Sequence, residues 1–143
     1  MFEKRKSPGY MTNFAARVFA SHLRDQVAPL GLAPAQFMVL LELWDEDGLT
    51  QKQLFERLEV EQATMANTIS RMERDGLVVR RAHPADGRAR SILLSAKGRA
   101  LEATAKSSAM QVNRHLMADF TDEECEMFLG FLQRIIQRGS SPG

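Results

Sequence analysis

The chain has 143 residues, 44% hydrophobic and 26% charged, with a formal net charge of +1. That is one domain's worth of sequence, able to bury a core without metals or disulfides, and it excludes a disordered or fibrous chain. The single cysteine, Cys125, excludes an intramolecular disulfide, and the longest apolar runs, such as residues 37–41, fall far short of the roughly 20 residues that span a bilayer.

Nothing in the first thirty residues has the apolar core and small-residue cleavage site of a signal peptide, so the expected location is the reducing cytoplasm. Residues 1–7 and 139–143 have the composition of frayed ends. Between them the first predicted helix covers residues 9–27, with Met11, Phe14, Ala15, Val18 and His22 at helical spacing, and stops before Pro29 and Gly31. The second starts near Pro34, carries Phe37, Met38, Leu40, Leu41 and Trp44, and breaks over residues 45–48.

Thr50 and Gln53 have capping-box spacing and open a short helix bearing Leu54, Phe55 and Leu58. After a break at residues 59–61, Met65, Thr68, Ile69 and Met72 fall at i, i+3, i+4 and i+7, and Gly76 stands where a left-handed cap ends the helix. The pattern predicts a helix, a tight turn and a second helix over residues 62–75. Residues 77–79 and 91–94 then read as two strands of a hairpin around a loop holding Pro84, Asp86 and Gly87. A long helix follows residues 97–98 and reaches Met117; Thr121 and Glu124 cap a last helix with Phe128, Phe131, Leu132, Ile135 and Ile136 on one face.

Charge is uneven along this frame. Between residues 71 and 90 there are six arginines against three acids, while acids gather at residues 42–47 and 119–126. With its apolar stripe turned inward, the helix at 62–75 presents Gln62, Ala63, Thr64, Ala66, Asn67, Ser70, Arg71 and Arg74. Gln62, Asn67 and Arg71 are residue types that contact base edges in two places at once, and Thr64 sits at the helix start, where free amides attract phosphate. An ordinary amphipathic surface helix has the same periodicity, so periodicity does not decide between them. Arg80, Arg81, Arg88 and Arg90 add cations on a protruding hairpin, suited to phosphates or a minor groove. Arg88 has two readings, a DNA contact or a salt bridge to Asp86 that fixes the loop tip.

The runs Leu77-Val78-Val79-Arg80-Arg81, Asp86-Gly87-Arg88-Ala89-Arg90 and Leu94-Ser95-Ala96-Lys97-Gly98 resemble the wing of MarR-type transcriptional regulators. The likeness extends back through residues 51–76 and 30–37 and covers about residues 9–138. It implies a mainly α fold with a small β-hairpin wing: one domain over 1–143, with a winged helix-turn-helix at 30–97 and dimerisation helices at 9–28 and 98–138. It also implies a homodimer whose recognition helices lie roughly 34 Å apart on a pseudo-palindromic double-stranded DNA operator. Family members are usually repressors released by small aromatic or phenolic effectors. The implied DNA-binding set is Gln62, Thr64, Asn67, Ser70, Arg71, Arg74, Arg81, Arg88 and Arg90. The implied effector cleft is lined by Phe14, Arg17, Val18, Ser21, Phe37, Met38 and Leu41. Arg17 fits either an effector carboxylate or a salt bridge across the dimer.

His22, His83 and His115 stand singly, with no ligand at metal spacing, and Cys125 lies between Glu124 and Glu126, which disfavour a thiolate. No cofactor or metal is expected. No nucleophile motif, phosphate-binding glycine loop or metal pair points to an enzyme. A winged helix docked on a protein is the competing non-enzymatic reading, and the basic hairpin argues against it.

Overall fold

The computed structural model describes residues 1–140. Its elements, in chain order, are α1 (Pro8–Val27), α2 (Pro34–Asp45), β1 (Leu49–Thr50), α3 (Gln51–Leu58), α4 (Gln62–Arg74), β2 (Val78–Ala82), β3 (Arg90–Leu94), α5 (Ala96–Ala100), α6 (Glu102–Leu116) and α7 (Asp122–Ser140). Single 3-10 turns at Lys4–Lys6 and Ala28–Leu30 flank α1. The predicted order of helices around a hairpin stands, with three differences.

First, the sheet has three strands in the order β1-β3-β2, all antiparallel. The two-residue β1, unexpected from the sequence, pairs Leu49 with Ile92 and Thr50 with Ser91. Second, β2 runs three residues past Val79, because pairing with β3 continues through Arg81 with Ser91 and Ala82 with Arg90. Third, the long helix after Gly98 is interrupted at Leu101, which separates α5 from α6. Of the ends expected to fray, Lys4–Lys6 form a turn and α7 reaches Ser140, while 141–143 lie outside the described residues.

Caps set the helix boundaries. The Ser7 hydroxyl accepts from the Tyr10 amide with Pro8 in the first turn of α1, and Thr50 and Gln53 exchange side-chain bonds with each other's amides at 3.1 and 2.8 Å. Thr121 and Glu124 repeat that exchange at the start of α7. The end of α4 closes as a Schellman motif: Gly76 takes φ +76°, its amide donates to the Glu73 carbonyl, and the Leu77 amide reaches the Met72 carbonyl.

The core lies among α2, α3, α4 and the sheet. Leu40, Leu43, Leu54, Ile69, Met72 and Ile92 are fully buried there, each contributing on the order of 1.5–3 kcal/mol. Leu40→Ala would remove about 2–5 kcal/mol, enough to threaten the fold. Trp44 ties α2 to α5, its indole N–H donating to the Gly98 carbonyl at 3.0 Å. The helix α1 packs chiefly on α6, where Ala105 and Val112 are buried. By contrast, α7 buries none of its residues against its own chain. Among the described residues no single helix is long and apolar enough to cross a membrane.

Candidate nucleic-acid interface

The local sequence of α4 builds a two-faced helix. Met65, Ile69 and Met72 are buried, and Thr68 is half-buried with its hydroxyl donating to the Thr64 carbonyl. Gln62, Ala63, Thr64, Asn67, Ser70, Arg71 and Arg74 are exposed, so one helix brings together six of the nine residues expected at DNA. No side chain caps the start of α4, which leaves its first-turn amides available to an anion.

The wing divides its arginines between two faces, because side chains alternate along a strand. Arg80 shares a face with the buried Val78, and its cross-strand partner is Ile92. Arg90 stands on that same face, opposite Ala82, whereas Arg81 stands on the other with Val79. Arg80 and Arg90 line a cleft of about 450 Å³ with Thr50, Gln51, Lys52 and His83. The expectation that Arg80 joins the solvent-facing cations of the hairpin is thus corrected. Its Nε donates to Glu73 Oε1 at 3.0 Å, Nη1 to Gln51 Oε1 at 3.2 Å and Nη2 to Ser70 Oγ at 3.3 Å.

At the wing tip, Asp86 Oδ1 accepts from the backbone amide of Arg88 at 3.0 Å. A salt bridge between their side chains is not formed, so the tip is fixed by Asp86 without engaging the Arg88 guanidinium. His83 completes the turn, with Nδ1 accepting from the Ala85 amide. Arg81, Arg88 and Arg90 are exposed, and among the described residues none of them forms an ion pair.

Three polar anchors absent from the expected set hold this module together. Gln36, 6% exposed in α2, accepts from the Ala33 amide and donates to Asp75 Oδ2 at 3.1 Å, joining the start of α2 to the end of α4. Lys97 donates to the Asp75 carbonyl, a cationic cap on α4. Hydrogen bonds from Arg74 and then Gln36 hold the Asp75 carboxyl below its ordinary range. Asp47 accepts from the amides of Gly48 and Leu94 and from Arg99, linking the end of α2 to β3 and α5. These partners lie 39 and 47 residues apart in the Gln36–Asp75 and Asp47–Leu94 bonds, so spacing along the chain gave no signal for them.

The residues expected around an effector divide. Phe14, Arg17 and Val18 on α1 and Met38 on α2 are exposed, and Ser21 and Leu41 are half-buried. Phe37 departs from the expected lining: it is 3% exposed, packed edge-on against Trp44 inside the core. The Arg17 guanidinium lies 5.4 Å from the Phe14 ring centroid, within cation–π range. Among the described residues no group of three or more His, Cys, Asp or Glu is placed to hold a metal. His22 and His115 do meet, with ring centroids 5.4 Å apart across α1 and α6, and Cys125 is half-buried on α7.

The family model described as "MarR family" matches residues 32–89, which spans the core of this module. The chain is 30% identical over 129 residues to the uncharacterized HTH-type transcriptional regulator YwoH of Bacillus subtilis (strain 168), covering 90% of this chain and 93% of that protein. Among solved structures it superposes on a MarR transcriptional regulator from Methanosarcina mazei Go1 with a TM-score of 0.86 and 26% identity, over 92% of this chain and 94% of the other. It also superposes on the transcriptional repressor CouR bound to a 23-mer DNA duplex, with a TM-score of 0.85 and 29% identity over 92% and 94% of the two chains. A helix with a polar outer row, a basic wing beside it and relatives that match along nearly their whole length lead to one conclusion: this chain belongs to the MarR family and is a DNA-binding transcriptional regulator, not an enzyme.

Proposed function

We propose that the chain is a homodimeric repressor that binds a pseudo-palindromic operator and is released by a small aromatic or phenolic ligand. The observation that carries the DNA side is the single exposed row on α4, with its uncapped N-terminus at one end and the wing cations beside it. In this reading Gln62, Asn67 and Arg71 contact base edges. Thr64, Ser70 and Arg74 contact or flank the backbone, and Arg81, Arg88 and Arg90 meet phosphates or the adjacent minor groove. The likeness to CouR, a repressor bound to DNA, supports repression as the mode of action.

Dimerisation draws its support from α7. Phe131, Ile135 and Ile136 are 50%, 57% and 65% exposed on a helix with no buried residue, a face that a second copy would cover. The chain then acts as one unit, with 30–97 as the winged module and 9–28 and 98–138 as dimerisation helices. For the effector, Phe14, Arg17, Val18, Ser21, Met38 and Leu41 offer an apolar lining with one cation, suited to an aromatic acid. Phe37, 3% exposed, belongs to the core rather than to this exposed lining. The lone, unpaired-by-disulfide Cys125 accords with a cytoplasmic setting.

Sequencing the DNA retained by the purified protein tests the reading. The expected result is an enriched site with two inverted halves about one helical turn apart, from which aromatic acids displace the protein. An unenriched pool would sink it.

A further inference from the structure

Arg80 is the wing arginine each of whose guanidinium nitrogens donates a hydrogen bond within the molecule. Its three nitrogens meet Glu73 and Ser70 on α4 and Gln51 at the start of α3, and its side chain is only 29% exposed. A guanidinium is planar and holds its donors at fixed angles, so three partners on two helices fix both the place and the tilt of the strand that carries it. The partners are 7, 10 and 29 residues away in sequence, which makes Arg80 a cross-tie between helix-turn-helix and wing. Ser70, one of the residues expected at DNA, already receives one of these bonds.

Glu73 is the informative partner. It is a carboxylate, 40% exposed, on the helix expected to enter a groove of a polyanion, where an acid is repelled by phosphate. Its distance of 3.0 Å from Arg80 gives it a different task. The bond is partly exposed, so its contribution to overall stability is small; its effect is geometric, because the hairpin reaches outward from this tie. Arg90 lies on the same face of the wing and lines the same cleft as Arg80, so a change in wing tilt moves Arg90 directly.

We propose that Arg80 is a positioning residue, anchored by Glu73, that sets the wing against the recognition helix so that Arg81, Arg88 and Arg90 reach the DNA backbone together. Glu73 therefore raises DNA affinity although it carries the wrong charge to touch DNA. This rests on reading the wing as a backbone contact.

The test is the salt dependence of binding to a random-sequence duplex and to the enriched fragment, for Glu73→Ala, Arg80→Gln, their double variant, and Arg81→Ala and Arg90→Ala. The expected loss for Glu73→Ala is about tenfold, the scale of a charged hydrogen bond. With it the slope of log K against log[salt] falls by about 0.9 for each phosphate contact that the wing gives up. A fold-neutral acid removed from beside DNA would instead leave the slope unchanged and the affinity equal or higher, and that result overturns the proposal. The double variant is expected to lose no more than either single change, since both remove one tie; additive losses would overturn it too. If Arg80→Gln lowers the melting temperature, the charge-exchanged variant Glu73→Arg with Arg80→Glu carries the test, and recovery of slope toward the parent is expected. Unchanged slopes for Arg81→Ala and Arg90→Ala would reject the backbone reading of the wing, whereas reduced slopes there with an unchanged slope for Glu73→Ala would reject the Arg80 tie alone.

Discussion

Gly98 sits directly beneath the Leu77 carbonyl, and a Cβ added to it would meet that oxygen well inside 3.0 Å. Ser95 reinforces the contact: its amide donates to the Leu77 carbonyl, and its hydroxyl donates to the Gly76 carbonyl while accepting from the Gly98 amide. The junction of α4 with β2 is thereby bolted to α5, and Trp44 closes it from α2 through the Gly98 carbonyl. The Ser95-Ala96-Lys97-Gly98 run that carried part of the family resemblance is thus a packing device at the base of the wing.

Gly98→Ala is therefore expected to cost about 1–3 kcal/mol through overpacking against backbone that cannot move aside. Chemical denaturation of the variant checks this, and an unchanged midpoint would show that the junction yields.

Arg71 and Arg90 are expected to fail differently. Arg71→Ala should lose about 1–3 kcal/mol on the operator and much less on random duplex, as a base contact does. Arg90→Ala should weaken both and lower the salt slope by about 0.9. Titrations by fluorescence anisotropy at several salt concentrations separate them; equal losses on both duplexes for Arg71→Ala would remove it from the base-reading set.

Ile135 is 57% exposed on the unburied face of α7. On the proposed homodimer, Ile135→Glu places a charge where the second copy packs, so sedimentation is expected to find a dimer for the parent and monomer for the variant, with operator binding weakened as the two half-sites cease to be held together. A dimer that persists unchanged would move the interface elsewhere.

The Asp75 carboxyl titrates below its ordinary value of 3.8, held there by Arg74 and then Gln36. A depressed folded pKa means that the charged form favours the fold. Its contribution is present above the unfolded pKa and is lost as the pH falls through the lower, folded value. Asp75→Asn should be less stable than the parent at neutral pH, with the gap closing on acidification below about pH 3.8. A gap independent of pH across that window would show that the Asp75 charge is not what matters.

The sequence by itself determined whatever depends on near neighbours. The exchange between Thr50 and Gln53, its repeat at Thr121 and Glu124, the left-handed turn at Gly76 and the stripe Met65, Ile69 and Met72 all rest on spacings of a few residues, where helix geometry dictates which groups meet. The wing motif carried the family in the same way. Only the tertiary structure decided what those faces turn toward. The sequence ends the strand at Val79; that it continues through Arg80, and that Arg80 is drawn inward, depends on pairing with Ile92, on Gln51, 29 residues away, and on Glu73 across the turn. The burial of Phe37 against Trp44 in the core and the two-residue β1 held by Ile92 and Ser91 are of the same kind. Periodicity sorts side chains onto faces; which face is covered, and by which donor or acceptor, is fixed only when distant segments pack.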